Sequence, residues 1–404
     1  MKVSKIIVNI YTLIFLMVVF RGSERMTAFV YVSEYMVLMG ALLVVGRLVS
    51  KREFKLAVDK GTVAIFFTIF LFIILDYFLW TIYPECTSVY VKRFLFYLPI
   101  VLISISINSI EKIINISKVY IVLIAVVFII LYPLKGVNGS FLGNYQYVAG
   151  ALSLGLLIFI IDFLFKENYS NKDIFIFLFI TGTLLMTGKR TFTVIPVGTM
   201  LFFTILKIGN VKVKIKIRRL IKIMIPAVIL GGIILIVKPD MLLAVSRLLE
   251  TNQDAGMNGR KNFWDLAMYL WYENKWTGIG MGTYQEFIAR NMEFTYAAFR
   301  VQAAYAAHNI YYQLLAEVGI SGTMLFIIYF VYNMVQIIRL VRIKEVKEDV
   351  RLIKYAYLSM LIQIWFLLYG CTGNPLFMVH QFYIYLFAVM IYQAIKRKIR
   401  YGEM

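Results

Sequence analysis

Charged residues are scarce in this 404-residue sequence, at 16% of the chain. Soluble globular domains contain about a quarter. Hydrophobic residues make up 61%, and the mean hydropathy is +0.79. A soluble fold is therefore excluded. Apolar runs of about 20 residues, the length at which a helix crosses a bilayer, recur along the chain. Because helices satisfy their own backbone hydrogen bonds in lipid, we expect an all-α polytopic membrane protein.

Cysteine and histidine are also scarce, with two residues of each type. The sequence has no Cys-x-x-Cys pair and no His-Cys cluster, which argues against a structural metal. Cys86 and Cys371 both fall on the predicted outer side, where they could pair in an oxidising compartment, although isolated cysteines are more often unpaired.

Acidic residues are outnumbered, with 22 Asp and Glu against 42 Lys and Arg, for a net charge of +20. Of the 42 basic residues, 28 fall in alternate loops on one side of the predicted spans. The positive-inside rule places that side, and both termini, in the cytoplasm. Basic loops beside anionic lipid headgroups account for the charge, so the lipid bilayer is an expected partner and nucleic acid is not.

Twelve transmembrane helices are predicted from the apolar runs. They cover residues 6–20, 28–46, 61–80, 94–110, 117–133, 147–165, 174–188, 191–207, 220–237, 308–338, 355–372 and 380–395. Only one connection is long, and long ordered loops tend to carry function. The predicted organisation is nine spans in residues 1–237, an outer loop in residues 238–307, and three spans with a basic tail in residues 308–404.

The outer loop is predicted to contain two helices around a glycine-rich turn. In RKNFWDLAMYLWYENKW, apolar side chains recur at helical spacing and form a face suited to the membrane interface, at Trp264, Ala267, Met268 and Trp271. A second helix is expected from about Thr283 to Ala307. The intervening TGIGMGTY predicts a tight turn, because a dinucleotide-binding fingerprint needs a preceding strand. The loop has no Asp-x-Asp pair, so a metal ion that binds a nucleotide sugar is not expected.

The stretch AAHNIYYQLLAEVGISG places His308 directly before the tenth span. If the helix begins near His308, Gly319 and Gly322 lie within about 40° of its face at about 100° per residue. Small residues there would let another helix approach closely. Asn309 adds a neutral donor and acceptor beside an imidazole that can take up a proton near neutral pH. An isolated interfacial histidine is more often only an anchor, the role predicted for His380.

The spacing of His308, Asn309, Gly319 and Gly322 resembles the signature of the bacterial O-antigen ligase and O-antigen or capsule polymerase superfamily. That signature is His, then Asn, Ser or Gln, nine residues, Gly, two residues, and then Gly, Thr or Tyr. Every specified position matches.

Two further segments resemble the same family. LLMTGKRTF is similar to its Thr-Gly-Ser-Arg-like string, with Arg190 at the arginine and Lys189 in place of the small residue. The segment NGRKNFWDLAMYLWYENKWTGIGMGTYQ resembles the family's loop segment, an arginine followed by an aromatic helix and a glycine-rich turn, and places Arg260 at the corresponding position. The resemblance covers roughly the second half of the chain, whereas the first six spans match only in topology and hydropathy.

The resemblance implies a GT-C-like membrane glycosyltransferase without a metal or cofactor. Family members move a glycan from an undecaprenyl pyrophosphate carrier to an acceptor hydroxyl on the outer face of the bacterial cytoplasmic (inner) membrane. Arg190 and Arg260 would bind the pyrophosphate, because guanidinium groups offer fixed N–H donors. His308 would act as general base or orient a substrate by hydrogen bonding. Supporting roles are expected for Asn309, Lys189 and two acids inside apolar spans, Asp76 and Glu34.

Three functions remain open. The first is a polymerase that joins undecaprenyl pyrophosphate-linked oligosaccharides, with a flippase and a chain-length regulator as expected partners. The second is a ligase with a different acceptor. The third is a twelve-span transporter or lipid-oligosaccharide flippase, which predicts broken helices near the midplane but does not explain the outer arginine and histidine positions. The abundance of Ile, Lys, Phe, Tyr and Asn is typical of an AT-rich bacterial genome, and such genomes are common in bacteria whose surface chains are not attached to a lipid A core. This weakly favours the polymerase.

Overall fold

The computed structural model describes residues 59–102, 106–135, 145–166, 170–205 and 254–401. These ranges consist of helices and connecting turns, with no strand, which confirms the predicted all-α class for this part of the chain. The described helices are α1 (Lys60–Leu79), α2 (Pro84–Leu102), α3 (Ile107–Lys135), α4 (Tyr145–Phe165), α5 (Asn171–Met186), α6 (Arg190–Ile205), α7 (Asp254–Glu273), α8 (Tyr284–Arg290), α9 (Met292–Phe299), α10 (Ile310–Arg342), α11 (Lys344–Glu348), α12 (Val350–Gly370) and α13 (Val379–Tyr401).

Several described helices are long and apolar enough to cross a membrane. They are α1, α4, α10, α12 and most of α3, and each overlaps a predicted span. The spans predicted over residues 6–20, 28–46 and 220–237 lie outside the described residues. The count of twelve spans therefore stays a prediction.

The span predicted over residues 94–110 is wrong in its bounds. α2 ends at Leu102 and α3 begins at Ile107. The Oγ of Ser106 accepts a hydrogen bond of 3.2 Å from the backbone amide of Ser109, as the side chain at a helix N-cap does. The apolar run continues across this junction, so hydropathy alone joined the end of one helix to the start of the next.

The helix α12 lies at the centre of the bundle, where it packs against α4, α6, α10 and α13. Its Trp365 is completely buried, and the indole N–H donates a 2.9 Å hydrogen bond to Oγ of Ser153 on α4. The Oγ of Ser359 donates a 2.6 Å bond to the carbonyl of Ala388 on α13. Because buried polar groups need partners, these bonds fix how α12 sits between its neighbours.

Basic residues lie near one end of α12, and the segment that contains His308 lies near the other. With 21 residues, α12 spans about 30 Å. Near its first turn, Lys354 and Lys118 both form ion pairs with Asp162. Just beyond its last turn, the carbonyl of Cys371 accepts a hydrogen bond from Asn309. Lysines of the predicted cytoplasmic loops therefore lie at the opposite end of the bundle from His308.

The loop helices α7, α8 and α9 form a second apolar core against the start of α10. The sequence predicts Trp264 and Ala267 on a face at the membrane interface. In the structure Ala267 is completely buried in this core, and the Trp264 ring stacks on Tyr312 of α10 with a centroid distance of 5.5 Å. The apolar face of α7 thus covers the other loop elements and the start of α10.

The single helix predicted from Thr283 to Ala307 is wrong. The chain forms α8 and α9 with a break at Asn291, and α9 ends at Phe299. Arg300 follows in the left-handed conformation, with φ 56°, a common way for a helix to end. The residues from Arg300 to Asn309 are not helical. This extended segment leads into His308.

Candidate functional site

His308 lies in the turn directly before α10. Its backbone is left-handed, with φ 54°, and its side chain is partly buried. α10 begins at Ile310, two residues later than His308. A positive φ is uncommon for residues other than glycine, so the surrounding contacts must hold this turn.

Asn309 is the N-cap of α10. Its Oδ1 accepts hydrogen bonds from the backbone amides of Tyr311 at 3.0 Å and Tyr312 at 3.3 Å. Its Nδ2 donates a 3.2 Å bond to the carbonyl of Cys371 after α12. The donor and acceptor that the sequence places beside the imidazole are therefore both used to fix the start of α10 against the end of α12.

Two cations from distant parts of the sequence lie within electrostatic range of His308. Arg260 is on α7, and Lys189 lies between α5 and α6. Burial lowers the pKa of His308 below its ordinary value of 6.5, and the positive charges of Arg260 and Lys189 lower this pKa further. The imidazole is therefore mainly neutral at pH 7 and can accept a proton. Residues from three separate sequence motifs come together here.

Lys189 is held in a short turn that starts α6. Thr187 Oγ1 donates a 2.7 Å bond to the carbonyl of Leu184, and Gly188 has φ 69°. Arg190 is the first residue of α6, and its side chain lies outside what the structure describes. The first amides of a helix lack internal partners and carry partial positive charge, so the N-terminus of α6 adds positive potential beside Lys189.

Two other predicted residues fall outside the described atoms. Glu34 lies outside the described residues, and so does the side chain of His380, whose backbone belongs to the first turn of α13. Cys86 and Cys371, whose pairing the sequence left open, are both free thiols.

The helix α10 is broken at Gly319, where φ is 60° and ψ is −166°. The glycine-rich turn fills the break. The amide of Ile279 donates to the carbonyl of Ala316 at 3.0 Å, and the amide of Gly280 donates to the carbonyl of Glu317 at 2.8 Å. Beyond the break, the amide of Ile320 donates a 2.9 Å hydrogen bond to the carbonyl of Lys275. The loop therefore satisfies the backbone groups that the break leaves open.

The break corrects the expected placement of the motif glycines. The predicted angles assume one continuous helix from His308, and that assumption is wrong. A Cβ atom at Gly319 would overlap the backbone of Trp276 in the loop. This glycine therefore allows a loop segment, rather than another helix, to approach closely. A Cβ atom at Gly322 would come close to Phe72 on α1 and to Val318.

Two buried carboxyl groups accept hydrogen bonds from the backbone amides of the glycine-rich turn. The completely buried Asp76 accepts a 2.7 Å bond at Oδ2 from the amide of Met281. Glu317, also completely buried, accepts bonds from the amides of Gly282 at 2.5 Å and Tyr284 at 3.2 Å. The sequence analysis singled out Asp76 and missed Glu317. The available signal was an acidic side chain inside an otherwise apolar stretch, nine residues after His308.

Glu317 is also part of a hydrogen-bond chain that reaches the residue before His308. Nε2 of Gln313 donates a 2.9 Å bond to Oε1 of Glu317. Oε1 of Gln313 accepts a 3.1 Å bond from the amide of Ala307, and it also accepts from Nδ2 of Asn374. Gln313 is only 2% exposed. The glycine-rich turn and the His308 turn are therefore connected through buried side chains.

Within the described residues, no group of three or more His, Cys, Asp or Glu side chains lies in an arrangement that could hold a metal ion. The charged groups that surround His308 are instead cationic. Such an arrangement can bind a phosphate or pyrophosphate group by charge and hydrogen bonding.

Residues 175–327 match the model of the family described as O-antigen ligase. The matched stretch runs from α5 to the middle of α10 and contains Lys189, Arg190, Arg260, His308 and both motif glycines. It supports the resemblance to the O-antigen ligase and polymerase superfamily over less than half of the chain. The match indicates a membrane enzyme of the glycosyltransferase type. No curated protein matches the chain.

Proposed function

We propose that this protein is a polysaccharide polymerase that transfers a glycan from undecaprenyl pyrophosphate to a hydroxyl of a lipid-linked acceptor. The observation that carries the proposal is that Arg260 and Lys189 lie within electrostatic range of the partly buried His308. One group that can accept a proton and two groups that can bind a pyrophosphate thus lie at one end of a membrane bundle. That combination suits transfer from a pyrophosphate carrier.

Each of these side chains has one task in the proposed reaction. His308, neutral at pH 7, removes the proton from the acceptor hydroxyl as the new glycosidic bond forms. Arg260 and Lys189, together with Arg190, bind the pyrophosphate that departs with the lipid when the sugar-phosphate bond breaks. The bound pyrophosphate also offsets the positive field around His308. Substrate binding would therefore make the imidazole a stronger base.

The distribution of charge supports an active site on the outer face of the cytoplasmic membrane. Lys118 and Lys354 lie at the opposite end of the bundle from His308, beside Asp162. Lysine-rich ends of membrane helices face the cytoplasm. The site would then face the side on which lipid-linked glycans are assembled after a flippase has moved them across.

A ligase is the second candidate, because the matching family is described as O-antigen ligase. The two enzymes share the donor and differ in the acceptor. Nothing about His308 or Arg260 distinguishes the acceptors, since both offer a sugar or lipid-linked hydroxyl. The composition favours the polymerase.

The break in α10 is also a feature that a transporter would have. In transporters a broken helix lines a substrate cavity near the midplane. Here the freed carbonyl groups of Ala316 and Glu317 bind the amides of Ile279 and Gly280. Because the loop backbone occupies the break, this feature favours a rigid support for the site over a transport path.

The test is a reconstituted transfer reaction. Purified protein in liposomes receives the lipid pyrophosphate-linked oligosaccharide as its only substrate, and the glycan products are separated by size. The proposal predicts a ladder of glycan products from the parent protein, and a rate of product formation about 10²- to 10⁴-fold lower for His308→Ala. Arg190→Ala and Arg260→Ala are expected to lose transfer severely, while the exposed neighbour Lys261→Ala serves as a matched control.

The outcomes separate the candidates. Products formed only after a different acceptor is added would identify a ligase. No glycan transfer to any offered acceptor, by protein that binds the verified lipid-linked substrate, would contradict both enzymes. An unchanged ladder from correctly folded His308→Ala would refute the base assignment.

A further inference from the structure

Both polar groups in the backbone of Ala307 are bound by side chains. The carbonyl accepts a 2.9 Å hydrogen bond from the indole N–H of Trp264 on α7. The amide donates a 3.1 Å bond to Oε1 of Gln313 on α10. Ala307 is completely buried. The peptide groups on both sides of this residue are therefore fixed, directly before His308.

The two side chains that hold Ala307 are themselves fixed. The ring of Trp264 stacks on Tyr312, with an angle of 16° between the ring planes. Gln313 donates from Nε2 to Glu317, and it accepts from Asn374 at the oxygen that also binds Ala307. These partners determine which way the Gln313 amide points, because each amide atom meets a group of the opposite hydrogen-bonding type.

His308 depends on this support. Its φ of 54° is a conformation that residues other than glycine adopt only at an energetic cost. Among the described residues, its imidazole has no hydrogen-bond partner. The position of the ring beside Arg260 and Lys189 therefore follows from the backbone on either side, namely Ala307 and the N-cap Asn309.

We infer that Trp264 and Gln313 are positioning residues, which hold the Ala307 peptides so that the His308 imidazole stays beside Arg260. This inference rests on the proposed role of His308 as the base. Neither side chain touches the substrate in this account. Each acts through Ala307, and Glu317 acts one step further back by holding Gln313.

The consequence is a selective effect on turnover. A base that is displaced by about 1 Å can lose about 10²-fold in rate, while cations that bind the pyrophosphate stay in place. Loss of the Trp264 or Gln313 bond should therefore lower kcat and leave KM for the lipid-linked donor nearly unchanged. A general loss of packing would lower the amount of folded protein without this division between kcat and KM.

The first experiment compares two tryptophans of α7. Trp264→Phe removes the bond to Ala307 and keeps an aromatic ring against Tyr312. Trp271→Phe is the matched control, because the buried indole N–H of Trp271 has no hydrogen-bond partner among the described residues. We expect kcat of Trp264→Phe to fall about fivefold, in line with a lost hydrogen bond of about 1 kcal/mol, while Trp271→Phe stays within about twofold. Equal kcat values for the two variants would overturn the inference.

The second experiment follows the His308 ring directly and does not require activity. The chain has two histidines, so histidine-labelled protein with and without His380→Gln gives assigned imidazole NMR signals. Titration of the His308 signal in Gln313→Met should move to higher pH than in the parent, because a displaced ring leaves its partly buried place near Arg260 and Lys189. Gln393→Met, whose amide has no partner in the described residues, is the control and should leave the titration unchanged.

These readouts separate two kinds of failure. If His308→Ala keeps full activity but the His308 titration still moves in Gln313→Met, the positioning is real and the base assignment is wrong. If His308→Ala is inactive and neither Gln313→Met nor Trp264→Phe changes kcat or the titration, the positioning inference is wrong and the base assignment stands.

Discussion

Gly319 of α10 lies against the carbonyl of Trp276 so closely that a Cβ atom at this position would overlap it. The contact joins the broken helix α10 to the loop that contains α7, α8 and α9. Gly319 also has a positive φ of 60°, a conformation in which other residues are strained. The glycine is therefore required twice, by its backbone angles and by the approach of the loop.

Gly319→Ala is expected to destabilise the protein by about 2 to 4 kcal/mol, because left-handed strain and overpacking act together. Thermal unfolding in detergent measures the effect. Gly182→Ala on α5 is the control, since no atom lies within 4 Å of the added methyl group. There a helical alanine should be neutral or stabilising by up to about 1 kcal/mol. Equal melting temperatures for the two variants would contradict the close contact with Trp276.

Glu317→Gln is expected to destabilise the glycine-rich turn by about 1 to 3 kcal/mol. Both carboxylate oxygens of Glu317 accept hydrogen bonds, and an amide would replace one acceptor with an N–H₂ group. Hydrogen exchange at the amides of Gly282 and Tyr284 should become faster. The exposed Glu293→Gln on α9 provides the comparison. Unchanged exchange at both amides would exclude Glu317 as their buried acceptor.

The rate of transfer should depend on the protonation of His308. A base works only when deprotonated, so kcat/KM is complete above the His308 pKa and falls as the pH drops through it. That pKa lies below 6.5 in the free enzyme because of burial, Arg260 and Lys189. The acid limb of kcat/KM is therefore expected below pH 6.5, and Lys189→Met should move it to higher pH. The exposed Lys261→Met is the control and should leave the acid limb in place. An unchanged acid limb in Lys189→Met would show that Lys189 does not act on the base.

Cys371 offers a direct report on which side of the membrane the site lies. Its carbonyl binds Asn309, the residue after His308, and its thiol is exposed. A membrane-impermeant maleimide should label Cys371 in intact cells that carry the Cys86→Ser variant. Because burial of part of the side chain raises the pKa of the Cys371 thiol, labelling should be slow at neutral pH and accelerate toward about pH 9. Labelling only after the membrane is opened would place the site on the cytoplasmic side.

The sequence selected three residues that lie near one another in the structure, and their roles in transfer stay predictions. His308, Arg260 and Lys189 were selected from three separate motifs, and the structure brings them together. Composition and hydropathy predicted the helical class, because a bilayer leaves few other ways to satisfy the backbone. These inferences depend on local patterns, which a single sequence contains.

The features that the sequence did not predict depend on distant contacts. The apolar pattern continues through Gly319, and hydrogen bonds between the loop and both sides of the break, among them those to Ala316 and Glu317, make a break there stable. Hydropathy likewise joined α2 to α3, since isoleucines alternate with small serines in the residues between them and keep the run apolar on average. Glu317 was missed because its role requires the amides of Gly282 and Tyr284, which lie more than thirty positions earlier in the chain.

The most direct test of a single site is a double-variant cycle on Arg260 and His308. The reconstituted transfer reaction gives kcat/KM for Arg260→Ala, for His308→Ala and for the combined variant. If the two residues act together on one transferred glycan, the losses will not simply multiply, and the coupling will amount to about 0.5 to 3 kcal/mol. Losses that multiply within error would show that Arg260 and His308 act independently and would contradict the site proposed for this protein.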